Sequence, residues 1–293
     1  MVIAASCGWL ILWLFGWLPL NLLMALIMGG AMVAMVGFID DRWKLGAGLR
    51  IAVHVAAALW ALAWLGGVPS LRLGDLTVQF GWVGYALGGL GIVWALNLFN
   101  FMDGIDGIAA SEIIFVCCAA AVLGLIGGGS GAVGAAALTL AAAACGFLIW
   151  NWPPARIFMG DVGSGYIGYQ AALLAIAATR HSPTALLVWS ILCGVFIVDA
   201  TVTLIVRLWR GESVHQAHRT HAYQWLVRHW GSHKRVTVVV ILVNLLWLFP
   251  CALAATLYPG SAGWLTLLAL VPLVLAAGAA GSGRKEPAPL GSP

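Results

Sequence analysis

The sequence has 293 residues, 62% of them hydrophobic and only 8% charged, against about 25% charged in an average soluble domain. With a mean hydropathy of +1.01, a water-soluble fold is excluded. The net charge of +4 comes from basic loops and gives no reason to expect nucleic acid as a partner.

Apolar runs of about 17–25 residues recur along the chain, each long enough to cross a ~30 Å hydrocarbon layer as a helix. The expected architecture is an all-α polytopic membrane protein with about ten transmembrane helices. The spans fall near 2–18, 21–39, 48–66, 82–100, 108–127, 132–150, 163–179, 184–208, 236–256 and 262–280. The N-terminus lacks the basic start of a signal peptide and reads as a membrane segment. Residues 68–81, VPSLRLGDLTVQFG, are too short and polar to span. Their alternation around Gly-Asp predicts a short β-hairpin on the periplasmic face. Cys7, Cys117, Cys118, Cys145, Cys193 and Cys251 lie in apolar runs without metal-ligand spacing and read as small hydrophobes. Residues 1–280 form a single membrane domain with no internal repeat, and the tail from 281 onward, GSGRKEPAPLGSP, is expected to be disordered.

The polar stretches are unevenly placed. IDDRWKLGAGLR follows the second span, NFMDGIDG the fourth, NWPPARIFMGDVGSG the sixth, and a long basic loop containing HRTHAYQ the eighth. These are alternate gaps, so all four face one side. With the tail they hold every Lys and Arg except Arg72 and Arg180, and the positive-inside rule makes that side cytoplasmic.

Each stretch carries groups suited to one chemistry. Asn97 and Asn100, three apart, share the last turn of a helix. Asp103-Gly104 and Asp106-Gly107 then break it at the interface, where the ~2.5–3.5 kcal/mol insertion cost of a mid-helix aspartate shrinks. Asp40 and Asp41 are adjacent carboxylates. Asp161 lies between glycines that permit close backbone approach to a ligand, after an Arg156-Ile-Phe158 lead-in. Mg²⁺ takes a few carboxylate or amide oxygens together with phosphate oxygens and water. His218, Arg219 and His221 suit phosphates through charge-assisted hydrogen bonds. Carboxylates for a metal and cations for phosphates, at a membrane surface, point to phosphoryl transfer involving a lipid.

FIDDR, NLFNFMDGIDGIA, FMGDVGSGYIG and HRTHAYQ, in that order, resemble the signature set of the polyprenyl-phosphate N-acetylhexosamine-1-phosphate transferases. The HRTHAYQ form is similar to the WbpL-like glycosyltransferase 4 branch, which primes O-antigen and related glycans. The resemblance implies a multi-pass enzyme of the bacterial inner membrane with its active site facing the cytoplasm. It would transfer a hexosamine-1-phosphate from a UDP-sugar to undecaprenyl phosphate, with release of UMP, using Mg²⁺ for which Mn²⁺ could substitute. Its partners would be a UDP-N-acetylhexosamine-type nucleotide sugar, undecaprenyl phosphate and membrane lipid, and a homodimer is compatible with it. By the same resemblance Asn100 and Asp161 are the metal ligands. As catalytic residues, Asp103 and Asp106 position the nucleotide and metal-bound water, and Asp40, with Asp41 beside it, is base or organiser for the lipid phosphate. Phe158 packs on uracil, and Asn97, Arg156, His218, Arg219 and His221 contact substrate.

Asp199, inside the eighth span, matches an acidic position of the family and reads either as functional or as a helix-packing group. His54 and Glu112 read as interfacial or packing residues. Relatives carry a further N-terminal span and a basic cytoplasmic loop ahead of the first span seen here, so a shortened, catalytically impaired member is one alternative. A secondary transporter is another, disfavoured because the polar residues sit at one surface rather than at mid-membrane in repeats.

Overall fold

The computed structural model describes residues 1–212 and 219–284. In chain order these form helices α1 (Val2–Leu14), α2 (Leu20–Trp43) and α3 (Ala47–Leu65), then strands β1 (Ser70–Leu73) and β2 (Leu76–Gln79). Next come α4 (Val83–Met102), α5 (Ile108–Ile126), α6 (Gly131–Asn151), α7 (Gly160–Thr179), α8 (Ala185–Leu192) and α9 (Gly194–Trp209). A short helix α10 (Ala222–Trp230) precedes α11 (His233–Leu257) and α12 (Ala262–Ala280). The protein is an all-helical polytopic membrane protein.

Among the described residues, seven helices are long and apolar enough to cross a membrane, and the α8–α9 pair makes an eighth if it counts as one span. The apolar run near 184–208, expected as one straight helix, is bent by 77° between α8 and α9. At the break, a Cβ on Gly194 would lie 2.8 Å from a Leu270 methyl and 3.2 Å from Leu248. Hydropathy alone cannot foresee such a break, because both halves are equally apolar. α1 has only 13 residues.

α7 is the buried centre, packed against α2 and α4. Its polar side chains look inward: Tyr169 Oη donates to the carbonyls of Ala25 (3.0 Å) and Ala57 (3.3 Å), and Gln170 Nε2 to that of Leu26 (2.9 Å). Ala25 and Leu26 begin a π-helical turn, Ala25–Gly29, within α2. Such a turn disturbs the regular backbone ladder, and in a membrane its carbonyls need protein partners. The side chains of α7 provide them. Toward one end of the pair, a Cβ on Gly37 would lie 2.6 Å from the backbone of Asp161 and Val162. Only glycine permits this approach, which sets Asp40 and Asp41 beside the start of α7.

Residues 70–79 form an antiparallel hairpin pairing Ser70 with Gln79 and Leu73 with Leu76, around Gly74-Asp75. It joins the end of α3 to the start of α4, while Asp40, Asp103 and Asp161 lie where α2 and α4 end and α7 begins. The hairpin and the aspartates are therefore at opposite ends of the bundle. Gly281–Arg284, expected to open a disordered tail, instead form a turn: Gly283 N–H donates to the Thr220 carbonyl (2.8 Å) and Arg210 donates to the Gly283 carbonyl (2.8 Å). Residues 285–293 lie outside the described residues.

Candidate active site

α4 ends at Met102, and the chain turns through Asp103-Gly104-Ile105-Asp106 into α5. Gly107 takes a left-handed φ of +76°, open to glycine at little cost. Its N–H donates to Asn151 Oδ1 at 3.0 Å, and Asn151 Nδ2 donates to the Ile157 carbonyl at 2.9 Å. Asn151, buried at the end of α6, therefore ties the aspartate turn to the loop that leads into α7. The sequence reading passed over it because a single amide at a span's end carries no motif.

Across this seam Asn100 Nδ2 donates to Asp161 Oδ1 at 2.9 Å. Asp41 accepts from the backbone N–H groups of Asp161 (3.1 Å) and Val162 (3.3 Å), so its carboxylate caps α7 where orphan amides and the helix dipole favour an anion. Asp40 is held by its own flank, accepting from Leu45 N–H at 2.6 Å and from Arg50 Nη1 at 2.6 Å. The same Arg50 nitrogen lies 3.4 Å from Asp161 Oδ2. Arg50 thus bridges two carboxylates and was not foreseen. Its signal was a lone cation in the first turn of an otherwise apolar helix. His54, one turn on, has a buried Nδ1 with no partner among the described residues.

Asn100, Asp103, Asp106, Phe158 and Asp161 line one polar cavity of about 350 Å³, joined by Asn151 and His233. Burial, with the charge of Asp161 added, pushes the Asp103 carboxyl up to about 8. Asp106 is engaged on both oxygens: Oδ2 accepts from Ala155 N–H at 3.1 Å, and Oδ1 lies 3.2 Å from His233 Nδ1.

Other expected residues are placed differently. Asn97 lies a turn deeper in α4, donating to its own helix at the Val93 carbonyl (2.7 Å), and is not among the residues lining the cavity. Arg156 is exposed, with its guanidinium 5.8 Å from the Trp150 ring centre. His218 lies outside the described residues. Arg219 is exposed, whereas His221 is buried between Phe101 and Tyr223, with Nδ1 3.5 Å from Asp199. Asp199 accepts from the N–H groups of Ala222 (2.8 Å) and Tyr223 (3.0 Å), so it caps α10 and anchors the HRTHAYQ segment. Tyr223 Oη then donates to the Phe101 carbonyl at 3.0 Å, docking that segment on the aspartate turn. Glu112 is fully buried and accepts from Asn244 Nδ2 at 2.5 Å, beside a π-turn in α11. It is a packing group.

Among the described residues no group of three or more His, Cys, Asp or Glu could hold a metal ion. Asn100 and Asp161, already in contact at the cavity wall, nonetheless fit Mg²⁺, which typically takes one or two carboxylates and completes its shell with substrate phosphate and water. The Asn100 amide, turned over, would offer its oxygen.

The glycosyl transferase family 4 profile matches residues 23–179. The chain is similar to a probable undecaprenyl-phosphate N-acetylglucosaminyl 1-phosphate transferase of Bacillus subtilis, with 28% identity over 255 residues, 86% of this chain and 70% of that protein. It is 31% identical over 191 residues to a phospho-N-acetylmuramoyl-pentapeptide-transferase of Moorella thermoacetica, covering 60% and 57% of the two chains. A decaprenyl-phosphate N-acetylglucosaminephosphotransferase of Mycobacterium leprae is 29% identical over 248 residues, 74% and 61% of the two. The chain thus spans about three fifths of the length of the latter two.

Proposed function

The chain belongs to glycosyl transferase family 4, and from that premise we propose that it transfers an N-acetylhexosamine-1-phosphate from a UDP-sugar to undecaprenyl phosphate. The site would face the cytoplasm at a bacterial plasma membrane, and the product would start an envelope glycan such as an O-antigen. The observation that carries this reading is that successive residues of α4 line two cavities of opposite character. Leu98 and Phe99 line an apolar cavity of about 350 Å³ with residues of α7, α8 and α9, and the next residue, Asn100, lines the polar one. A polyprenyl phosphate needs both, an apolar wall for its chain and polar groups for its phosphate, and α4 supplies residues to each.

On this reading a phosphate oxygen of the acceptor bonds to the β-phosphorus of the nucleotide sugar. The bond from that phosphorus to the oxygen bridging the two phosphates breaks, and UMP leaves with that oxygen. An ionised lipid phosphate supplies its own electron pair, so no strong base is required. Asp40, committed to Leu45 and Arg50, would then act by holding Arg50 near the incoming phosphate. Asp41 holds the N-terminus of α7 and so sets Asp161. Phe158, 76% exposed at the rim, offers a free ring face for uracil. Mg²⁺ held by Asn100 and Asp161 would neutralise the diphosphate and improve UMP as a leaving group.

UMP release from UDP-N-acetylhexosamines, with and without undecaprenyl phosphate and Mg²⁺, tests the reading. Release should need both additions, and Asp161→Asn should lower turnover about a hundredfold or more, as misplacing a reacting group does. Wild-type rates in that variant would remove Asp161 from the mechanism.

A further inference from the structure

The polar cavity has an imbalance that the motifs leave unexplained. Among the described residues its lining includes three carboxylates, Asp103, Asp106 and Asp161, and one side chain able to carry positive charge, His233; Arg50, outside that lining, lies 3.4 Å from Asp161 Oδ2. A nucleoside diphosphate brings further negative charge into the same space. His233 is the first residue of α11 and belongs to none of the four signature stretches.

Its setting is built rather than incidental. His233 Nδ1 lies 3.2 Å from Asp106 Oδ1. Asp106 is in turn fixed by Ala155 N–H on its other oxygen (3.1 Å). Its backbone carbonyl accepts from Thr237 Oγ1 (2.9 Å), one turn further along α11. The aspartate turn and α11 are therefore joined at two levels, with each Asp106 carboxylate oxygen already in contact with one partner. A carboxylate on Nδ1 orients an imidazole and leaves Nε2 as its remaining polar atom. The His233 side chain is 42% exposed and lines the cavity.

We propose that His233 is a further substrate-binding residue. Its Nδ1–H is held by Asp106, and its Nε2–H donates to a phosphate oxygen of the nucleotide, the phosphate retained by the UMP product. Asp106 on this account is a positioning residue that acts through His233. The inference rests on the UDP-sugar reading above and assigns the phosphate contact within it.

The test uses the 293-residue chain in detergent with UMP as the probe. Calorimetry with wild type, His233→Ala and His233→Gln should show UMP binding weakened about tenfold or more in the alanine variant, the scale of a lost charge-assisted hydrogen bond. The glutamine variant, whose amide can still donate, should recover part of that loss. In turnover, KM for the UDP-sugar should rise in His233→Ala while KM for undecaprenyl phosphate stays at the wild-type value. Thermal melting of both variants close to wild type shows that the fold is kept, and His233→Gln carries the test if the alanine variant does not fold. UMP affinity equal to wild type in the folded variants would overturn the proposal. Wild-type protein that binds no UMP would instead overturn the UDP-sugar reading on which it rests.

Discussion

At the scale of single residues, the aspartates that read alike in sequence have separate surroundings. Asp41 caps a helix, Asp40 grips Arg50, Asp106 holds His233, and Asp103 is half-buried in the cavity wall with Asp161. The motif spacing showed that these carboxylates belong to one place. It could not show which would be spent on backbone and which would face the cavity, because that depends on what arrives from α3, α6 and α11. Arg50, Asn151 and His233 escaped notice for the same reason: each lies at a span's end outside any motif, and only its partner reveals it. Asp103 carries a pH signature. Its carboxyl is raised from 3.8 to about 8, so between those values the folded protein holds a proton that the unfolded chain has released. Stability contributed by that proton is present at low pH and falls as pH rises toward 8. Melting temperature measured in EDTA should therefore fall from pH 5 to pH 8 in the wild type, and Asp103→Asn should flatten that slope. An unchanged slope would show that Asp103 is ionised in the folded state.

At the scale of elements, hydropathy located the helical segments well because membrane spans must be apolar over a fixed length. It was blind to direction. The 77° bend between α8 and α9 lies inside an unbroken apolar run, yet it accompanies the delivery of Asp199 to the start of α10. Asp199 had two readings in sequence, functional or packing, and the structure makes it the anchor of the HRTHAYQ segment. Replacing it with alanine would leave the Ala222 and Tyr223 N–H groups buried without an acceptor, at about 1–3 kcal/mol each. Asp199→Ala should therefore lower the melting temperature and speed hydrogen exchange at those two amides, with Asp199→Asn intermediate. Wild-type protection factors in Asp199→Ala would mean that α10 is capped by other groups. The close packing of α2 on α7 depends on Gly37, whose role is legible only once both helices are seen together.

At the scale of the whole molecule, alternation of polar gaps along the chain was enough to gather the signature stretches at one end, and contacts of Asp41 and Asn100 with Asp161, and of Tyr223 with the Phe101 carbonyl, bring them within reach of one another. The hairpin lies at the opposite end, the exterior is apolar, and successive residues of α4, Phe99 and Asn100, line an apolar and a polar cavity. On the proposed function, a lipid would lie in the bundle's flank while its phosphate meets a water-soluble nucleotide. The central claim is that the phosphorus–oxygen bond inside the diphosphate is broken, rather than the sugar's own bond to phosphate. Mass spectrometry of the products from UDP-N-acetylhexosamine and undecaprenyl phosphate distinguishes the two directly. The account predicts UMP and a lipid heavier by N-acetylhexosamine-1-phosphate, in equal amounts. UDP and a lipid heavier by the sugar alone would contradict it.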